Sequence, residues 1–231
     1  MAAGEYLEDD EVSVTWRVIE GDCLAVLPTL AERIDAVLAD PPYGVNLQTN
    51  FHDRGCSRLA KSGNYAPVAG DDRPFDPAHL LGFERIALFG ANYFAQHLPA
   101  SGHWLVWDKR DGVCSNDQAD AELAWARGGT RNTPRVFRHL WMGMLKDSER
   151  EDCRVHPTQK PVALMRWVIE QMGLKPGDTV LDPYAGSGST GVACVQMGLN
   201  FIGIELDPGY AAIARRRIGE AANHLFAGGA A

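Results

Sequence analysis

Two short stretches hold the groups best suited to chemistry. The first is Asp40-Pro41-Pro42-Tyr43, which follows the apolar run Ile34–Ala39. Two prolines in succession stop both strand and helix, so the carboxylate and the phenol are left at the end of a buried strand. A carboxylate next to a backbone carbonyl suits the exocyclic amine of a nucleobase, whose lone pair is delocalised into its ring. Accepting the two N–H bonds favours a pyramidal nitrogen and aims the lone pair at an electrophile, which stabilises charge that develops in the transition state. An aromatic ring three residues on can stack on the base. The second stretch is Asp182-Pro183-Tyr184-Ala185-Gly186-Ser187-Gly188-Ser189-Thr190-Gly191, where a short apolar strand enters a glycine-rich turn and a helix begins near Ser189. Glycine allows positive φ and lets a ligand lie against the backbone at a helix N-terminus. Gly186, Gly188 and Gly191 have the spacing of a dinucleotide fingerprint, and Glu205 ends the next apolar run, where a ribose-binding acid belongs. The same turn and acid would also hold S-adenosylmethionine, so the turn alone leaves both ligands open.

The elements that position these groups alternate. A strand is expected over Val14–Ile19, and Gly21-Asp22 turns it into a helix from Leu24 to Ala31 with Asp22 as its cap. The run Ile34–Ala39 reads as a buried parallel strand, and residues 44–76 as a long loop rich in turn formers. Helices over 77–82 and 92–98 alternate with strands over 85–89 and 103–107. A strand over 121–125 precedes an irregular basic stretch to about Arg154, with a β-like piece at 135–141. Pro161 opens an amphipathic helix to Met172. The glycine-turn strand, a helix to Met197, the strand Asn200–Glu205 and a helix over 208–222 complete one α/β domain, whose ligands belong at the carboxyl ends of the strands.

The totals narrow the class. A chain of 231 residues with 45% hydrophobic composition supports a single core. The five cysteines are scattered, which predicts reduced thiols and no structural metal. The acidic tail over 1–12 is unlike a signal peptide and no apolar run is long enough for a membrane span, so a cytoplasmic protein is expected. A net charge of −8 argues mildly against a nucleic-acid partner. Its distribution matters more than the sum: Arg127, Arg131, Arg135, Arg138, His139 and Lys146 share a stretch without carboxylates, Arg54, Arg58 and Lys61 form a looser basic group, and each group reads equally as a solvated face or as a phosphate-binding one.

With the Asp40–Tyr43 and Asp182–Ser189 stretches, Gly21-Asp22-Cys23 and His156-Pro157-Thr158-Gln159-Lys160-Pro161 complete an ordered set of four motifs. In this order the chain resembles the β-class amino-methyltransferases of DNA from about Val14 to Ile218. The resemblance implies a Rossmann-like S-adenosylmethionine-dependent methyltransferase fold with a mixed, mostly parallel sheet. It assigns Asp40 and the Pro41-Pro42 turn to the target amine and Tyr43 to stacking on a flipped base. It places S-adenosylmethionine on Asp182, Tyr184, Gly186, Ser187, Gly188 and Ser189, with Glu205 on the ribose, Leu206, Asp22 and Cys23 near the adenine, and Thr158 and Lys160 near the methionine carboxylate. Residues 111–155 become a short target-recognition insertion, residues 156–222 the cofactor-binding half, and residues 44–76 a loop over the target base. Arg54, Arg58, Lys61, Arg127, Arg131, Arg135, Arg138 and Lys146 are then expected to approach DNA, with a homodimer as one way to share a short target. The implied reaction is methylation of adenine N6, with cytosine N4 as the close alternative. A dinucleotide-dependent oxidoreductase stays open on the glycine fingerprint but leaves Asp40–Tyr43 and His156–Pro161 unexplained.

Overall fold

The computed structural model describes residues 14–47, 68–112, 119–142, 145–149 and 155–228. Strands β1 (Trp16–Glu20), β2 (Ala36–Ala39), β3 (Ile86–Phe89), β4 (Trp104–Asp108), β5 (Ala121–Arg127), β6 (Arg135–Arg138), β9 (Thr179–Asp182) and β10 (Asn200–Glu205) form one sheet in the order β1-β10-β9-β2-β3-β5-β4-β6. A separate hairpin joins β7 (Trp141–Met142) to β8 (Leu145–Lys146). All neighbours in the main sheet are parallel except β5, which runs against both β3 and β4. The chain crosses outward from β2 to β3 and, in the opposite direction, from β9 to β10, so the strand order reverses between β2 and β9. Ligands bind at such a reversal, beyond the carboxyl ends of the strands. The Asp-Pro-Pro turn and the glycine turn leave the sheet there, side by side.

The strands alternate strictly between two buried faces, as side chains of period two must. Ala36, Leu38, Ala87, Phe89 and Val180 face one cluster, while Val37, Ala39, Ile86, Leu88 and Leu181 face the other. The first face is covered by helices α2 (Val162–Gln171), α3 (Ser189–Gln196) and α4 (Pro208–Gly228) through Leu164, Met165, Ala193, Ala214 and Ile218. The helix expected at 24–31 is only α1 (Cys23–Val26), followed by a 3-10 turn over Leu27–Thr29. The helices expected at 77–82 and 92–98 are absent. Turns occupy the first segment, and 3-10 turns over Ala91–Tyr93 and Ala95–His97 occupy the second. Pro99 gives the physical reason at one end, since it disfavours the helical region for Leu98, which sits at φ −99°, ψ 139°. Gly90, at φ +68°, breaks the other end. These turns still bury Leu80 and Phe94 against the sheet.

The third glycine of the fingerprint serves packing. A Cβ at Gly191 would stand 2.7 Å from the Phe201 ring and would also overlap Ile218 of α4. Gly191→Ala is therefore expected to destabilise the fold by about 1–3 kcal/mol despite alanine's better helix propensity, measured by urea unfolding.

Strand direction also divides the basic stretch. Because β5 is antiparallel, Arg127 at its end lies beside Ile86 at the start of β3, on the edge opposite Asp40. Arg131 follows in the connecting turn, and Arg135 opens β6 beside Leu105 on that same far edge. Arg138 and the β7–β8 hairpin with Lys146 return to the carboxyl edge, where Arg138 pairs with Asp108 in register. The basic residues expected to approach DNA are thus divided between the two edges of the sheet. Arg127 donates to the carbonyls of Leu81 and Phe83, both at 2.6 Å, and lies over the Trp125 ring. Its role is to fasten the turns on the second face. Arg127→Ala should cost about 1–3 kcal/mol of stability and leave the salt dependence of DNA binding unchanged. Among the described residues, no helix is long and apolar enough to cross a membrane.

Candidate active site

Asp40 leaves β2 at the carboxyl edge, and the chain doubles back so that the Tyr43 hydroxyl donates to its Oδ1 at 2.6 Å. The Tyr43 ring lies over Gly90, where a Cβ would fall within the ring, and stacks on Tyr93 at 5.2 Å between centroids. Lys160 enters from the loop before α2. Its Nζ donates to Asp40 Oδ2 at 2.7 Å and lies 2.9 Å from Oε2 of Glu122 on β5. Lys109, just past β4, holds the other Glu122 oxygen at 2.9 Å. Burial raises the Asp40 carboxyl above its ordinary range and Lys160 opposes that rise. Burial would also raise Glu122, but Lys160 and Lys109 hold it at about 2. Lys160 was expected at the methionine carboxylate. Instead it sits, itself buried, between two part-buried carboxylates; burial alone would disfavour its charge, but the two carboxylates together keep it protonated. Glu122 and Lys109 were missed, although a single glutamate inside the apolar run Ala121–Trp125 was the available signal.

Across the strand reversal, Asp182 ends β9 and is almost wholly buried. Its Oδ2 accepts the Thr190 hydroxyl at 2.6 Å and its Oδ1 the Tyr184 N–H at 3.0 Å, which folds the glycine turn back on itself. Asp182 thus faces into the protein as the organiser of the turn. Burial lifts its carboxyl to about 7, and Asp40 and Glu205 add to the rise. Gly186 and Gly188 adopt φ of +51° and +82°. The Gly186 N–H donates to Glu205 Oε2 at 2.7 Å, and Glu205 Oε1 accepts from Asp207 at 2.9 Å. Ser187 is buried, and Arg217 of α4 donates to its carbonyl and hydroxyl and reaches Ser189 at 3.4 Å.

On the neighbouring strand, Gly21 N donates to the Glu205 carbonyl, so Asp22, Cys23 and exposed Leu206 lie beside that acid. Asp22 caps α1 through Leu24 N at 2.8 Å, and Cys23 is buried. The Tyr184 hydroxyl meets His79 at 3.0 Å. Thr158 is oriented by His156 Nδ1, and the His156 ring packs edge-on against Tyr210 and faces Gly186. Asp71 draws the start of the loop over 44–76 to its end by accepting from Gly44, Val45 and Leu47. Arg54, Arg58 and Lys61 lie outside the described residues.

The N6/N4 methyltransferase family model, described as DNA methylase, matches residues 107–216. The DNA adenine methyltransferase YhdJ of Escherichia coli K12 is 29% identical over 252 residues, covering 91% of this chain and 84% of its own. Over most of its length the chain is therefore similar to DNA amino-methyltransferases. Type II methyltransferase M.HinfI of Haemophilus influenzae is 28% identical over 261 residues, covering 88% of this chain and 68% of its own. The crystal structure of the M1.HpyAVI–SAM complex superposes with a TM-score of 0.55 at 25% identity, covering 88% of this chain and 100% of that one. PvuII DNA methyltransferase, cytosine-N4-specific, shares the fold at a TM-score of 0.59 and 16% identity. The stretch matched by the family model begins at Trp107, beyond the Asp40 motif, and takes in Lys160, the glycine turn and Glu205. The Asp40 stretch and the glycine turn follow the parallel neighbours β2 and β9 and so lie at the same edge of the sheet.

Proposed function

We propose that the protein methylates the N6 amine of adenine in DNA, at a short site, with S-adenosylmethionine as donor. The observation that carries the cofactor class is the convergence of carboxylates at one sheet edge: Asp40 follows β2, Asp182 ends β9 and Glu205 ends β10, three neighbouring parallel strands. A pyrophosphate would be repelled there, whereas a cationic sulfonium or ammonium is favoured, which disfavours the dinucleotide reading. Room for the ligand is consistent, since a Cβ on Gly186 would meet nothing nearer than the His156 ring at 3.7 Å. When bound, the cofactor supplies a methyl group activated by a sulfonium. Glu205 would take the ribose hydroxyls, because each of its oxygens has a second lone pair beyond the one given to the backbone. Asp22, Cys23 and Leu206 would flank the adenine, and the turn from Tyr184 to Ser189, with Thr158, the methionine end.

Asp40 and the Pro41 carbonyl would accept the two N–H bonds of the target amine, and Asp40 would accept the proton that nitrogen sheds once methylated. The Tyr43 hydroxyl takes one lone pair of Asp40 Oδ1 and leaves the second for the amine, while the Tyr43 ring becomes a stacking face for a base taken out of the duplex. Arg138 and Lys146 are the basic residues of the recognition segment that share the catalytic edge, and we assign the DNA contacts of the described residues to them. A short insertion favours a short target or a homodimer that shares the reading. The enzyme would act at the cytoplasmic nucleoid. Nucleoside analysis of DNA incubated with the protein and S-adenosylmethionine tests the reading: N6-methyladenine supports it, and N4-methylcytosine alone would replace the base assignment.

A further inference from the structure

From the row of alternating charges behind the catalytic carboxylate, we infer that Lys160 and Glu122 form a positioning pair that sets the hydrogen-bonding strength of Asp40. This rests on the methyltransferase reading above. Lys160 Nζ lies 2.7 Å from Asp40 Oδ2, 2.9 Å from Glu122 Oε2 and 3.3 Å from the Tyr43 hydroxyl, and Lys109 closes the row on Glu122 at 2.9 Å. The Lys160 side chain is only 7% exposed, so few of its interactions are with water. Charges in that setting act at a low effective dielectric. An ammonium paired with Asp40 alone would hold the carboxylate too well to leave it a strong acceptor for an amine. Without an ammonium, desolvation would push the part-buried carboxyl toward its protonated form. Glu122 resolves the conflict by sharing the cation, so that Asp40 stays ionised and keeps basic character toward the substrate.

The groups facing Asp40 are Lys160, Glu122 and Tyr43, with Asp182 within electrostatic range and Tyr93 behind Tyr43. Their signs give the two substitutions opposite signatures. Lys160 lowers the Asp40 pKa, and Glu122 raises it. Lys160→Met should therefore move the Asp40 titration up by about one unit or more, with a drop of about tenfold in single-turnover rate near neutral pH. Glu122→Gln should move it down and lower the plateau rate severalfold, because the ammonium then settles on Asp40. Neither should change S-adenosylhomocysteine affinity more than about threefold.

The experiment follows carboxyl carbon resonances of protein labelled in aspartate with carbon-13, with Asp40→Asn for assignment. It is run with pH–rate profiles and calorimetric titration of S-adenosylhomocysteine. Opposite shifts at constant affinity support the pair. An Asp40 titration unmoved by either substitution, or a large loss of S-adenosylhomocysteine affinity in Lys160→Met with the saturated rate intact, overturns it. If Lys160→Met fails to bind S-adenosylhomocysteine through misfolding, the near-isosteric Glu122→Gln decides alone by its downward shift or lack of one. The resonance measurement needs no turnover, so wild-type protein that leaves DNA unmethylated would refute the reaction reading separately.

Discussion

Asp40→Ala is expected to lower the methylation rate on the order of a thousandfold at saturating cofactor while leaving S-adenosylhomocysteine binding nearly unchanged. The carboxylate lies at the end of β2 and shares its oxygens with Tyr43 and Lys160, whereas the side proposed for the cofactor is built on β9 and β10. An acceptor whose bonds strengthen as the nitrogen becomes pyramidal acts on the transition state, so its loss should appear in kcat and not in cofactor affinity. Single-turnover kinetics with calorimetry on the same preparation measure both. Equal losses in rate and affinity would place Asp40 in the cofactor site instead.

The second large effect is expected at Glu205. Two hydroxyl-to-carboxylate hydrogen bonds lost on Glu205→Ala correspond to about 3 kcal/mol or more, on the order of a hundredfold weaker cofactor binding. Part of that loss would be indirect, because Glu205 also holds the Gly186 N–H and through it the left-handed turn. Glu205→Gln separates the contributions: its amide oxygen can keep the Gly186 bond while the charge is lost, so an intermediate loss of affinity is expected. Unchanged affinity in both variants would remove Glu205 from the ribose site.

The parts of this architecture that were readable along the chain are those fixed by local rules. Apolar runs that stop at Asp-Pro-Pro or enter a glycine turn mark buried parallel strands and their carboxyl ends, and β2, β9 and β10 fall there. The helices opposite α2–α4 were misread, because apolar residues near Leu80 and Phe94 suit a turn as well as a short helix, and only the packing decides. The basic stretch misled for a topological reason: reversal of β5 sends Arg127 to the far edge, and the chain must cross the sheet again before Arg138 returns. Lys160 was recognised by its motif but not by its partners, since Asp40 is 120 residues distant and Glu122 sits on an antiparallel strand that no local pattern ties to it.

The central claim, that Asp40 directs methyl transfer to adenine N6 in DNA, is tested most directly by modified-base sequencing. Genomic DNA would come from methylation-deficient cells expressing either this protein or its Asp40→Ala variant. N6-methyladenine at one short motif with the unaltered protein, and none with the variant, is the predicted result. No new mark on any base, from protein shown to be folded and to bind S-adenosylmethionine, would contradict it.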